Sequence, residues 1–175
     1  MGHVDYDSTL IVGSFIAAGF ICYIVISMEQ LIFKQVYKKF ESLILFINGL
    51  LLALAISIVH IVGIQAYHLF DTAHSNIPLI AISYAISALL SCIAMWLTSR
   101  FTLPLFRLIL SSIIMGIGIS ASYYISMLGW NINVYKKDYT SFLLLFSVLI
   151  AMSGSGLAFL LAYKLKDTER YRLTL

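Results

Sequence analysis

Residues 42–70, SLILFINGLLLALAISIVHIVGIQAYHLF, contain no Asp, Glu, Lys or Arg and decide the architecture. About 20 apolar residues wound as a helix cross the hydrocarbon core of a bilayer, so this run is long enough to span it. Four further charge-free runs occupy 8–28, 72–99, 108–135 and 139–163. Across the 175 residues 61% are hydrophobic and only 11% are charged, with a mean hydropathy of +0.98. Soluble domains carry about 25% charged residues, so a water-soluble globule is excluded. The runs are long and continuously apolar, which favours helices over the short alternating strands of a membrane barrel. The expected fold is an all-α, polytopic transmembrane bundle forming one domain over 1–175, with helices near 10–28, 43–67, 79–97, 108–130 and 142–163 and a tail at 164–175.

Charge between the runs predicts orientation. Lys34, Lys38, Lys39, Arg100, Arg107, Lys164, Lys166, Arg170 and Arg172 fall on one side of a five-span topology, and only Lys136 and Lys137 on the other. Positive loops stay in the cytoplasm, so the amino terminus is expected outside and the tail inside. Asp5 and Asp7 precede the first run with no Lys or Arg, so a cleaved signal peptide is not expected. The net charge of +3 reflects basic residues that flank apolar spans, so nucleic acid is not expected as a partner. Cys22 and Cys92 both lie inside spans and suggest no disulfide framework.

The chain repeats itself. Shifted by about 63 residues, the second span superposes on the fourth and the third on the fifth: Ile56-Ser57 meets Ile119-Ser120, His60 meets Tyr123 and Ile64 meets Met127. At an offset of 64, Ser83 meets Ser147 and Ala94 meets Ala158. Two crossings separate each segment from its copy, so the copies run in the same direction. The first span matches the third at an offset of 69 through Ser14 with Ser83 and Cys22 with Ser91.

The segment Met115-Gly116-Ile117-Gly118-Ile119-Ser120-Ala121-Ser122-Tyr123-Tyr124-Ile125-Ser126-Met127 resembles the signature of the MHYT sensor domains, Met-Gly-x-Gly-Ile-x-x-Met-His-Tyr-Thr-Gly-Met. Ala55-Ile56-Ser57-Ile58-Val59-His60-Ile61-Val62-Gly63-Ile64 resembles the earlier copy of that signature. The first copy keeps the histidine as His60 and the glycine as Gly63, with Val59 and Ile64 in place of the flanking methionines. The second keeps Tyr124 and Met127, with Ser122, Tyr123, Ile125 and Ser126 at the positions of methionine, histidine, threonine and glycine. The resemblance implies a sensory input module in a bacterial inner membrane. It also implies a copper ion held by Met and His near the outer face, through which oxygen, carbon monoxide or nitric oxide is sensed, and a cytoplasmic output domain or partner protein.

On this chain the ligand positions fall on His60 and Met127, and Tyr123, Tyr124, His68 and Met115 would line the site. Soft thioether and imidazole donors suit copper. Independently of any family, an ionisable His60 inside a span is costly and often functional. By helical period His60, Ile64, Tyr67 and His68 share a face leading to the outer end, and Gly116, Ser120, Tyr123, Met127 and Trp130 share another. The alternative for His60 is a neutral ring bonded to a Tyr or Ser hydroxyl of a neighbouring helix. Gly63, Gly116, Gly118 and Ser120 read as small residues that let helices approach closely.

Besides a sensor, a small transporter or channel and an anchoring subunit without ligand are the other readings, and a second copy of the chain is a candidate partner in the bilayer. No acid or base was expected within a span, which leaves an ion path only His60. No nucleophile, base and orienting group combine, so an enzyme is not expected.

Overall fold

The computed structural model describes residues 8–33, 40–66, 76–99, 104–130 and 141–173. These residues form α1 (Ser8–Phe33), α2 (Glu41–Ala66), α3 (Ile77–Thr98), α4 (Leu105–Gly129) and α5 (Ser141–Leu173). Each is long and apolar enough to cross a membrane. Local chemistry sets the starts. Asn76 caps α3 by accepting from the Leu79 amide at 3.5 Å, and Pro78 sits in the first turn, where a missing N–H costs nothing. Pro104 is extended and α4 begins immediately after it. The Asn76 amide donates to the Gly129 carbonyl at 2.6 Å, tying the start of α3 to the end of α4.

Two helices outrun the apolar segments that announce them. α1 continues past Met28 to Phe33, and Glu29, expected in a loop, is buried on it. α5 continues past Tyr163 to Leu173, through residues expected as a tail. Neither extension contains Gly or Pro, so nothing in the backbone stops the helix.

Each helix packs on the next in the chain, and α2 also touches α4, so α2, α3 and α4 form the centre with α1 and α5 on its flanks. The radial order of side chains is that of a membrane protein. Ala53, Ala94, Ser87, Ser91, Ser111 and Asn48 are buried, while Phe15, Phe20, Ile109, Ile113, Leu149 and Leu157 are exposed. In water this arrangement would forfeit the hydrophobic effect. In lipid, where association depends on close packing, small residues belong between helices and large apolar ones outside.

Glycine is required at the tightest crossings. A Cβ on Gly49 would lie 2.7 Å from the Cys92 Cα, and one on Gly116 would lie 2.8 Å from the Met152 Cα. Several buried hydroxyls bond within their own helices: Ser111 donates to the Leu108 carbonyl at 2.9 Å and Ser122 to Ile119 at 3.0 Å.

The internal repeat has a packing counterpart. A shift of 63 carries the Gly49–Cys92 crossing of α2 and α3 onto Ser112 and Ser155 of α4 and α5, where Ser155 Oγ donates to the Ser112 carbonyl at 3.0 Å. The same shift carries Asn48 onto Ser111, and neither has any exposed surface. The offset of 69 that relates α1 to α3 carries Ser14 and its acceptor Ile11 onto Ser83 and Ile80, and both bonds measure 2.7 Å. The molecule therefore alternates two kinds of helix: α1, α3 and α5 of one kind, α2 and α4 of the other.

Candidate functional site

Because α2 and α4 are copies running the same way, equivalent residues sit at the same depth, and where the two helices touch they present the same position to each other. That position is 60 and 123. The His60 ring meets the edge of Tyr123 with centroids 5.3 Å apart and planes at 64°. The Tyr123 ring in turn meets that of Tyr124 at 5.4 Å and 73°. The Tyr124 hydroxyl lies 3.1 Å from Ser147 Oγ on α5. A continuous series of aromatic and hydroxyl groups thus leads from α2 across α4 to α5. His60, Tyr123 and Tyr124 are half-buried.

Other residues singled out by the sequence fall as follows. Met127, one turn beyond Tyr123, is buried, as is its counterpart Ile64. Met115 is buried two turns to the other side, and its sulfur accepts from Ser91 Oγ of α3 at 3.6 Å. It belongs to the α3–α4 contact. His68 lies outside the described residues. Gly116 and Gly118 lie at close crossings, against Met152 and Leu90, while Ser120 is half-buried. Gly63 differs from the expectation of a packing glycine: a Cβ there meets nothing within 4 Å, because at this turn the α2 backbone stands away from its neighbours.

Copper needs three or four nitrogen or sulfur donors converging on one point. Among the described residues no group of three His, Cys, Asp or Glu could hold a metal. At the signature positions one imidazole, His60, and the thioethers of Met115 and Met127 remain, since Tyr123 occupies the second histidine position and Val59, Ile64 and Ser122 occupy methionine positions, and Met115 is engaged at the α3–α4 contact. Among the described residues, His60 and Met127 therefore supply two donors at or within a turn of the ring contact, fewer than the three or four that copper needs.

One polar residue escaped the sequence reading. Asn48 is fully buried, its Nδ2 donates to the Val25 carbonyl of α1 at 3.4 Å, and its Oδ1 has no partner among the described residues. A carboxamide deep inside an apolar run was the available signal, because such a group must find a partner on another helix.

Residues 116–174 match the MHYT family, described as a bacterial signalling protein N terminal repeat. Along 167 residues the chain is 29% identical to the bifunctional diguanylate cyclase/cyclic di-GMP phosphodiesterase MucR of Pseudomonas aeruginosa, covering 95% of this chain and 24% of that protein. Along 156 residues it is 29% identical to the signaling protein YkoW of Bacillus subtilis, covering 87% of this chain and 19% of that protein. The chain therefore spans a quarter or less of the length of these curated relatives. No solved structure matches it. With the matched repeat covering most of α4 and α5, relatives aligned along nearly the whole chain and five helices able to span a bilayer, residues 116–174 carry an MHYT repeat and the protein is a multi-pass bacterial membrane protein.

Proposed function

We propose that this chain is the sensory input module of a bacterial signalling system in the inner membrane, with its amino terminus outside and the end of α5 in the cytoplasm. In this reading a small molecule or redox change in the outer half acts on the contact between His60 and Tyr123, and no resident copper ion is required. Signal transfer needs two packings of similar energy that the stimulus distinguishes. The α2–α4 contact suits that role because it is slight, so little packing is lost when it opens. The observation that carries the reading is the connection from His60 through Tyr123 and Tyr124 to Ser147, which links the contact to the helix that leads out of the membrane. The printed names of both relatives, one a cyclic di-GMP enzyme and one a signalling protein, are in keeping with an output joined to such a module.

The test is a distance measurement between spin labels at Ser42→Cys on α2 and Lys164→Cys on α5, in nanodiscs, with Cys22 and Cys92 replaced by alanine. Nitric oxide, carbon monoxide and cuprous ion serve as probes. At least one is expected to shift the distance distribution, and His60→Ala and Tyr124→Phe are expected to abolish the shift. A distribution indifferent to all three probes, and unchanged in both variants, refutes the proposal.

A further inference from the structure

α5 meets the rest of the molecule on one side only. Met152, Ser155, Gly156 and Phe159 are half-buried on the side toward α4. On another face Ile150, Gly154, Leu157, Leu161 and Lys164 are exposed, with Leu157 at 61%. Their spacing alternates four and three residues, which is the seam of a coiled coil. Lipid alone would satisfy this face inside the membrane. The spanning segment of α5, however, ends at Lys164, and the helix continues to Leu173. Nine more residues extend it about 14 Å, too short a stretch for strong helicity in water without packing. The sequence continues the same spacing there, at Thr168 and Tyr171.

We propose that two copies of this chain pair in parallel along this seam, and that the pair continues past the membrane as a two-stranded coiled coil. Three observations select a second copy as the occupant. Every copy inserts in the same direction, so two α5 helices are parallel, and a two-fold axis along the membrane normal closes the assembly. Gly154 has nothing within 4 Å of a Cβ in its own protomer, so the position is open to the backbone of another helix. Charge then fixes the register. Counting with Gly154 and Leu161 as core positions, Asp167 and Arg172 occupy the two flanking positions, five residues apart, that parallel strands place opposite one another. A parallel in-register pair sets Asp167 against Arg172 of the partner subunit twice, and antiparallel pairing sets like residues together. Lys164 marks the exit from the lipid, where a long side chain reaches the headgroups while its stem covers the seam.

Cysteine cross-linking in native membranes tests this, using the full chain with Cys22 and Cys92 replaced by alanine. Leu157→Cys and Leu161→Cys are expected to give disulfide-linked dimers, and Leu149→Cys, exposed but off the seam, is expected to give at least fivefold less. Asp167→Arg is expected to lower the Leu161→Cys yield severalfold, and adding Arg172→Asp to restore it. Equal yields at Leu149 and Leu157 overturn the proposal, and so does an Asp167→Arg variant that cross-links undiminished. Single-molecule photobleaching of the unsubstituted protein in nanodiscs is expected to give two steps, and one step per particle also overturns it.

Discussion

His60 and Tyr123 occupy one position in two copies of the same helix, and the α2–α4 contact brings their rings together at that shared position. An edge-to-face ring pair contributes about 0.5–1.5 kcal/mol, so His60→Ala should lower stability in detergent by that order, measured by thermal unfolding. Tyr124→Phe removes only the hydroxyl that faces Ser147. The expected cost is about 0.6 kcal/mol, the average for polar pairs between membrane helices, with the double variant Tyr124→Phe/Ser147→Ala no worse than the single. Metal analysis of protein purified and exposed to cuprous ion should give well under one copper per chain. A full equivalent, lost in both His60→Ala and Met127→Ala, would show that ligands beyond the described residues complete a site. The sequence singled out His60 and Tyr123 because a shift of 63 aligns them, and the structure sets their rings edge to face. It could not show that the two rings touch, since an equivalence of position does not say which faces of α2 and α4 meet.

At the scale of the helix, small residues divide into those that a neighbour crowds and those that none approaches. Gly49→Val and Gly116→Val force a branched side chain against the backbone of Cys92 or Met152, which cannot retreat without separating two helices. Each should cost about 1–3 kcal/mol, seen as reduced thermal stability or loss of folded protein. Gly13→Ala and Gly63→Ala meet open space and should be neutral or stabilising by up to about 1 kcal/mol, since alanine favours helix over glycine. Sequence alone treats Gly63 and Gly116 alike, because both sit in copies of one signature. What separates them is the crossing with α5, which brings Met152 onto Gly116 and leaves Gly63 uncovered. Helix starts were legible to within three residues, from Leu10, Leu43, Leu79, Leu108 and Phe142 expected to Ser8, Glu41, Ile77, Leu105 and Ser141 observed. The ends of α2, α3 and α4 were legible to within one residue and those of α1 and α5 were not, because charge marks where lipid stops and not where hydrogen bonding stops. Glu29 shows the difference, being charged, helical and buried at once.

For the whole molecule, the proposed topology of five crossings puts the two termini on opposite sides of the membrane. The excess of Lys and Arg beside α5 predicts which is which. Green fluorescent protein fused to the carboxyl terminus should fluoresce, and alkaline phosphatase fused there should be inactive; the reverse pattern would invert the topology and place the His60 contact in the cytoplasmic half. The pattern of neighbours carries a last consequence. Every helix after the first packs against the one synthesised just before it. A nascent chain leaving the translocon therefore never has to hold an unmatched surface open while distant segments are made, and each newly released hairpin can settle against finished structure. Such a scaffold can be lengthened or trimmed by a hairpin at its trailing end without rebuilding what was laid down first, which makes duplication a cheap evolutionary step for this architecture.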